Sequence, residues 1–229
     1  MGGVNVKNTM IERVLNILAP HPCSGCAKME AILCPDCKYD IIHEPFMGCI
    51  LCGKPQNGGV CAIHNSPIQR AFVVGDRTGA LEETINRLKF HNTKAAALPL
   101  AELFHETLPL LPATTQIVPI PTVRSHIRQR GYDHVELLVR HLASMRNMPI
   151  NRALIRINSD TQHRVGKSER QEQSSRAFAL SPQFIPTDAP VLLVDDVVTT
   201  GSTFLSAARL LKEAGVTVWV ATLAYQPLD

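Results

Sequence analysis

The sequence predicts an α/β fold with a mainly parallel sheet, preceded by a small cysteine-rich module. In residues 67–229, short apolar runs alternate with amphipathic helical stretches, an order typical of parallel strands covered by helices on both faces. Residues 191–194 are all apolar and read as a buried strand, followed directly by Asp195 and Asp196. The 7 cysteines all precede this part of the chain. We therefore expect two domains, at residues 1–66 and 67–229.

Composition narrows the class of protein. A chain of 229 residues with 45% hydrophobic residues can build an ordinary globular core. No apolar run approaches the ~18–20 residues of a membrane span, and the first residues lack a signal-peptide pattern. We expect a cytoplasmic protein with no membrane insertion.

Charge is spread unevenly along the chain. The net charge is only +3, but residues 120–180 carry 11 basic and 5 acidic side chains, a local excess of +6. Such an excess suits pyrophosphate or nucleic acid, although it can also serve solubility alone.

Paired cysteines define the N-terminal module, which begins with a short helix capped by Thr9. Two ligands separated by two residues can both reach one Zn²⁺, and eight ligands make two tetrahedral structural sites. Sequential pairing predicts one site from Cys23, Cys26, Cys34 and Cys37, and a second from Cys49, Cys52, Cys61 and His64. A cross-braced arrangement stays open, and His21 or His43 could replace His64. Disulfides are the alternative, against which a reducing cytosol and an odd number of cysteines both argue.

The later elements follow from hydrophobic periodicity and turn signals. Strands are predicted at residues 71–74, 116–120, 150–157, 191–194 and 216–223. Helices are predicted around the apolar positions Leu81, Ile85 and Leu88; Leu100, Leu103 and Phe104; Val135, Leu138, Val139, Leu142 and Met145; and from Ser202–Phe204 to Ala214. Asp133 is the expected cap of the third of these helices. The polar stretch 158–176 is too long for an ordinary connection and is expected to be functional or mobile.

The turn after the strand at residues 191–194 is the strongest candidate site. Its hydroxyl groups and backbone N–H groups lie at the start of a helix, a place that attracts phosphate, and Gly201 allows close approach. Asp195 and Asp196 can accept hydrogen bonds from a ribose diol. The alternatives are a strand-loop-helix corner with a metal-binding aspartate, or no ligand.

These thirteen residues, VLLVDDVVTTGST at 191–203, resemble the signature of the type I phosphoribosyltransferases, whose ligand is phosphoribosyl pyrophosphate (PRPP). The resemblance implies that Asp195 and Asp196 bind the ribose at the catalytic centre, and that Mg²⁺ accompanies PRPP. It further implies that the 5′-phosphate is held by Thr199, Thr200, Gly201, Ser202 and Thr203.

Two further stretches resemble the ComF competence proteins and their GntX-like relatives. They are IVPIPTVRSHIRQRGYDHVELL at 117–138, and the paired cysteines with CGKP at 52–55, which resemble that family's double zinc ribbon. RLKF at 87–90 and TQ at 161–162 also fit. The chain departs from the family's RG-F-N-Q pattern at Asp133 and His134, and from its last ribbon cysteine at His64.

The resemblance implies further anion contacts. Arg124, Arg128 and Arg130 would lie in a loop facing the pyrophosphate, since guanidinium groups bind phosphate oxygens in pairs. Residues 158–176, with Lys167, would form a mobile hood over the ligand. A basic surface loop is the alternative for the arginines.

By this resemblance the chain is a PRPP-binding protein acting in DNA uptake and single-strand handling during natural transformation. Its implied partners are single-stranded DNA, a competence helicase and a recombinase-loading protein. Phe46, Phe72, Phe90 and Tyr132 are the aromatic candidates for base stacking. The alternatives are an active phosphoribosyltransferase with an unidentified acceptor, and a PRPP-sensing regulator.

Overall fold

A computed structural model describes residues 21–57, 59–157 and 177–227 of the chain. The helix expected after Thr9 and the stretch 158–176, with Lys167, lie outside the described residues. Within the described ranges, no helix is both long enough and apolar enough to cross a lipid bilayer.

The described residues form six strands and six α-helices. The strands are β1 (Ile68–Asp76), β2 (Gln116–Pro119), β3 (Leu154–Arg156), β4 (Phe178–Leu180), β5 (Val191–Val198) and β6 (Val218–Tyr225). The helices are α1 (Pro35–His43), α2 (Gly79–Phe90), α3 (Ala97–Thr107), α4 (Arg124–Arg130), α5 (His134–Arg146) and α6 (Ser202–Glu213). Four strands pair in parallel in the order β1-β6-β5-β2, which confirms the predicted α/β class with a mainly parallel sheet.

Strand β5 lies inside this sheet and explains the unbroken apolar run. Leu192 and Val194 pack into one core with residues of α2, α3 and α5, whereas Val191 and Leu193 pack into a second core with residues of α6. Because helices cover both faces, every position from 191 to 194 needs an apolar side chain. The strand also runs on through Asp195 and Asp196 to Val198, further than the sequence predicts.

The expected strand at residues 150–157 is wrong for most of its length. Ile150 makes one parallel bridge to Ile117, and the chain then leaves the main sheet, so that only Leu154–Arg156 is a strand. This short strand pairs antiparallel with Phe178–Leu180 in a separate two-stranded sheet. β-propensity indicates an extended conformation but does not specify the partner strand.

Two features around α4 and α5 position the site. The arginine-rich segment Arg124–Arg130 is a short helix rather than the expected loop, and it ends where Gly131 adopts a φ of 76°. The predicted cap of α5 is confirmed, because the Asp133 carboxylate accepts hydrogen bonds from the backbone N–H groups of Val135 and Glu136.

The cysteine-rich module shares its apolar residues with the rest of the protein. Ile32 and Leu33 belong to the core that contains Leu81 of α2, and Ile50 belongs to the opposite core with Phe204 of α6. The module is therefore packed on both sides of the sheet.

Candidate functional site

A cavity of about 660 Å³ opens beyond the carboxyl ends of β2 and β5. This is the edge at which parallel α/β sheets bind ligands. The strands contribute Asp195 and Asp196, and the surrounding helices and loops contribute cations and amides. The lining consists of Lys89, Phe90, Asn92, Ile120, Pro121, Thr122, Val123, His126, Gln129, Arg130, His134, Arg156, Asp195, Asp196 and Thr203.

Asp196 is the buried anion of the cavity, with 4% of its surface exposed. Its Oδ2 lies 2.9 Å from Lys89 Nζ and 2.9 Å from His134 Nε2. Burial alone would raise the pKa of this carboxyl, but His134 and Lys89 together hold the pKa below its usual range. Oδ2 is thus fully engaged by these two side chains and is buried away from the open cavity.

His134 connects Asp196 to Arg130. Arg130 Nη1 lies 2.8 Å from His134 Nδ1, and since a guanidinium can only donate, Nδ1 is the acceptor of this hydrogen bond. A neutral His134 therefore carries its proton on Nε2, which is the nitrogen that faces Asp196. The three side chains form a chain of contacts from the rim of the cavity to its floor.

Asp195 lies in different surroundings. Its Oδ1 accepts a hydrogen bond of 2.9 Å from the backbone N–H of Asp196. Burial and the neighbouring Asp196 charge raise the pKa of this carboxyl well above its usual value. Asp195 is thus the member of the pair that holds its proton more readily until a cation or a ligand hydroxyl arrives.

The Thr/Ser turn joins the cavity at the start of α6. Gly201 is the N-cap residue of α6 and has a φ of 69°. Because glycine has no side chain, it cannot accept a hydrogen bond from the first N–H groups of the helix. Thr200 Oγ1 donates to Ser202 Oγ at 2.9 Å and accepts from the Ser202 N–H at 3.3 Å. Uncapped N–H groups with two ordered hydroxyls make a suitable site for a phosphate.

The structure brings together only some of the residues expected at the site. Asp195, Asp196, Thr203 and Arg130 all line the cavity. The rest of the turn, with Thr199, Thr200, Gly201 and Ser202, adjoins it. Arg124 and Arg128 are exposed on α4 and do not line the cavity.

Four charged or titratable lining residues were not expected there: Lys89, His126, His134 and Arg156. Lys89 is the last-but-one residue of α2, and the only signal for it is the RLKF resemblance at 87–90. His134 was noted only as a departure from the family pattern. Arg156 ends β3 and donates to the carbonyl oxygen of Pro121 at 3.2 Å, a contact between distant segments that no local pattern predicts.

The cysteines form two groups near the carboxyl ends of β1 and β6. One contains Cys23, Cys26, Cys34 and Cys37, and the other contains Cys49, Cys52, Cys61 and His64, with the ligand atoms of each group within 4.8 Å of one another. This grouping is the sequential one rather than the cross-braced one, and neither His21 nor His43 belongs to it.

The sulfur spacing fits zinc. A tetrahedral ion with Zn–S bonds of about 2.3 Å places neighbouring sulfurs about 3.8 Å apart. Cys26 Sγ and Cys34 Sγ are 3.7 Å apart, and Cys52 Sγ and Cys61 Sγ are 3.9 Å apart. These distances are far longer than a disulfide bond.

Backbone N–H groups point at one sulfur in each group. Burial raises the pKa of Cys23, but hydrogen bonds from N–H groups, including those of Cys34 and Gly25, have the larger effect. The net result is a pKa lowered to about 6. For Cys49, the N–H groups of Cys61 and Leu51 likewise outweigh burial and lower the pKa. In each group, one sulfur thus favours the thiolate, which is the form that binds zinc, whereas burial and neighbouring sulfurs raise the pKa of Cys37 and Cys61.

Comparisons with known proteins agree with this architecture. The family model of the phosphoribosyl transferase domain matches residues 127–228 of this chain. The chain is 30% identical over 212 residues to the DNA utilization protein YhgH of Salmonella typhi, covering 86% of this chain and 88% of that protein. It is 29% identical over 200 residues to competence protein F of Haemophilus influenzae, covering 80% and 86%. It is 25% identical over 200 residues to competence protein ComFC of Bacillus subtilis, covering 82% and 81%.

The matched domain begins within α4 and contains the whole Asp-Asp and Thr/Ser segment. The relatives also align with the cysteine-rich part, since the alignments span most of both chains. With a phosphoribosyltransferase-like fold and two clusters suited to zinc, the chain belongs to the family of competence protein F, ComFC and YhgH.

Proposed function

We propose that this chain binds PRPP in the cavity beyond β2 and β5. The observation that carries the proposal is the continuity of three parts: two carboxylates on the floor, a helix start with free N–H groups at one end, and a cationic wall formed by Lys89, Arg130 and Arg156. A phosphorylated pentose with a pyrophosphate offers a matching diol, phosphate and polyanion.

Different residues would bind different groups of PRPP. Asp195 and Asp196 accept hydrogen bonds from the ribose hydroxyls, and the turn at residues 199–203 receives the 5′-phosphate. Arg130 faces the pyrophosphate, because its second nitrogen is not used by His134 and a guanidinium binds phosphate oxygens in pairs.

The cavity also suits the Mg²⁺ that accompanies PRPP. Mg²⁺ takes oxygen ligands and usually binds through one or two carboxylates together with substrate phosphates. Asp195 and the pyrophosphate oxygens would hold it. The ion would offset the charge of the pyrophosphate.

Calorimetric titration of PRPP with Mg²⁺ tests this proposal. The zinc-loaded wild type should bind, and Asp195→Asn should bind much more weakly because the variant keeps the shape but loses the charged acceptor. Arg209→Ala, an exposed residue on α6, serves as the surface control. Absence of binding to the folded wild type would remove the proposal.

We further propose that the chain acts in DNA uptake and contacts single-stranded DNA beside this cavity. The names of its relatives, a competence protein and a DNA utilization protein, support a role with DNA. Of the four aromatic candidates, Phe46, Phe72 and Tyr132 are half-buried and contact other parts of the protein. Phe90 is 64% exposed at the cavity rim, with the Arg130 guanidinium 5.7 Å from its ring centroid.

Fluorescence anisotropy with a labelled oligothymidine at several salt concentrations tests the DNA role. Phe90→Ala should weaken binding by about 1–3 kcal/mol, the range for loss of one stacked base. Arg124→Ala and Arg128→Ala should each reduce the salt slope by about 1. Leu110→Ala removes another exposed apolar side chain and should have no effect. Equal binding by all these variants would exclude this surface. A competence helicase and a recombinase-loading protein are the protein partners proposed for the same role.

An active phosphoribosyltransferase is the second candidate function. The cavity wall carries Asn92, Gln129 and His126, whose polar atoms could contact an acceptor next to the ribose. Release of pyrophosphate from PRPP that depends on an added nucleobase, ammonia or glutamine would establish it.

A further inference from the structure

The turn at residues 199–203 rests directly on the second cysteine cluster. Gly201 is buried, and a Cβ atom added to it would lie 2.4 Å from Leu51 Cδ2 and 3.3 Å from the Ile50 carbonyl oxygen. A side chain at residue 201 would force Leu51 to move. The backbone of the phosphate turn is therefore in close contact with the two residues between Cys49 and Cys52.

Ile50 extends this contact on both sides of the turn. It is completely buried and lies in one core cluster with Val198, which ends β5, and with Phe204, in the first turn of α6. Ile50 thus shares its core with the residues that enter and leave the turn.

The position of Ile50 and Leu51 depends on the second cysteine cluster. The Leu51 N–H donates to Cys49 Sγ at 3.5 Å, and the Cys61 N–H donates to the same sulfur at 3.3 Å. Without an ion, the facing sulfurs of Cys52 and Cys61 offer only a weak S–H···S contact to add to the backbone hydrogen bond from the Ile50 N–H to the Gly59 carbonyl oxygen. The geometry of the support is therefore the geometry of a zinc site.

The first cluster has a different neighbour. A Cβ atom added to Gly25 would lie 2.9 Å from the Ala80 Cβ, so this cluster packs on the start of α2. The two clusters are chemically similar, but only the second has its inter-cysteine residues against the phosphate turn.

We propose that the second cysteine cluster is a positioning element for the 5′-phosphate turn, so that its zinc occupancy sets the affinity for PRPP. Leu51 and Ile50 are the positioning residues. The inference rests on the proposed binding of PRPP. By linkage, the coupling is reciprocal, and bound PRPP must raise the affinity of this cluster for zinc by the same factor.

Matched cysteine variants of the full chain test the coupling. Cys26 and Cys52 are both exposed, and each is the second cysteine of the first pair in its cluster. Each serine variant should lose one zinc by metal analysis. The Kd for PRPP with Mg²⁺ should rise about tenfold in Cys52→Ser, within the range of ordinary allosteric coupling, and clearly less in Cys26→Ser. Equal Kd changes in the two variants would overturn the proposal.

Leu51 variants keep all the ligands and cover the case in which Cys52→Ser does not fold. Leu51→Ala should retain both zinc ions and weaken PRPP binding, whereas Leu51→Met, which conserves volume, should restore it. Wild-type affinity in Leu51→Ala would contradict the positioning role.

Zinc release provides an independent readout. With a colorimetric chelator in excess, the release of each zinc ion is one kinetic phase, and each serine variant lacks the phase of its own cluster. PRPP should slow the phase that is absent in Cys52→Ser, which is zinc release from the second cluster. It should not slow the phase that is absent in Cys26→Ser. If the wild type binds no PRPP, the proposed function fails, but amide exchange at residues 199–203 still tests the coupling. Exchange there should accelerate in Cys52→Ser and not in Cys26→Ser, and equal exchange would overturn it.

Discussion

Asp195 and Asp196 are neighbours in the sequence, but the fold gives them different electrostatic surroundings. Asp196 faces Lys89 and His134 at 2.9 Å each and keeps its charge. Among the described residues, Asp195 forms no ion pair with a cation, and its pKa is raised by burial and by Asp196. One carboxylate is therefore part of a buried charge network, and the other is free to respond to a ligand.

This difference predicts opposite effects on stability. Asp196→Asn leaves Lys89 and His134 without their anion and should destabilise the protein by about 3 kcal/mol, near the lower end for a broken buried pair. For a chain of this size that is about 6–12 °C in Tm. Asp195→Asn removes a carboxyl whose charged form is disfavoured, so its Tm should stay equal or rise. Thermal unfolding followed by circular dichroism checks both variants, and equal losses of Tm would contradict the assignment.

The raised pKa of Asp195 also predicts how binding depends on pH. In the free protein this carboxyl holds its proton at a pH where an ordinary aspartate has lost it, and Mg²⁺ with PRPP favours the charged form. Binding should therefore release a proton, and affinity should increase with pH until the carboxyl is ionised in the free protein. Asp196, whose pKa is lowered, contributes nothing over the same range.

Calorimetry in two buffers with different heats of ionisation measures this proton release. Asp195→Asn, titrated at concentrations high enough to saturate its weaker site, is the control, because it keeps the titration of the ligand phosphates and loses that of the carboxyl. Identical proton release in the variant and the wild type would show that the proton comes from elsewhere.

At the level of single residues, the sequence predicts the site residues that belong to one continuous segment. It misses those that distant elements bring to the same cavity. Asp195, Asp196 and Thr203 follow one buried strand and could be found from a short pattern. Lys89 and His134 reach the same cavity from the end of α2 and the start of α5. Their approach depends on how two helices pack on the sheet, which hydrophobic periodicity does not specify.

Asp133 links two elements at the edge of the cavity. Its Oδ1 accepts from the N–H groups of Val135 and Glu136 and from the Thr122 hydroxyl at 2.9 Å. The carboxylate thus caps α5 and ties it to the loop after β2. Thr122 itself lines the cavity.

We expect Asp133→Ala to cost about 1–2 kcal/mol, the range for loss of a helix cap. Asp133→Asn should be nearly neutral, because asparagine caps helices equally well and is the residue of the family pattern. Urea denaturation gives both values, with Arg140→Ala, on the exposed side of α5, as control. A loss of similar size in Asp133→Asn would show that the charge matters, rather than the cap.

A helix or strand could be predicted when signals in its own residues specify it. The α5 helix has both a cap and a 3.6-residue period, and its prediction is confirmed. The strand at residues 150–157 was wrong because an extended segment can pair with either sheet, and β4, its actual partner, is only Phe178–Leu180. Three residues are too few to carry a pattern.

At the level of the whole molecule, the cysteine-rich module and the sheet domain are joined by shared cores. Ile32 and Leu33 pack with α2 on one face of the sheet, and Ile50 packs with α6 on the other. Phe46 stacks on Tyr225 at the end of β6, with ring centroids 4.4 Å apart. The sequence predicts a boundary between residues 66 and 67, but composition alone does not indicate how apolar residues are shared across it.

Shared cores predict that the module and the sheet domain unfold together. In calorimetry, the zinc-loaded chain should show one transition, because unfolding of the module would expose Leu81 and Phe204 in the two cores. A strong chelator should lower the single Tm rather than split the transition, since zinc binding contributes free energy to folding. The matched test is Ile50→Ala, which keeps every zinc ligand. It should lower the free energy of unfolding by about 2–5 kcal/mol and lower the same Tm. Two transitions, with the upper one unaffected by chelation, would instead mean that the sheet domain is stable without its module.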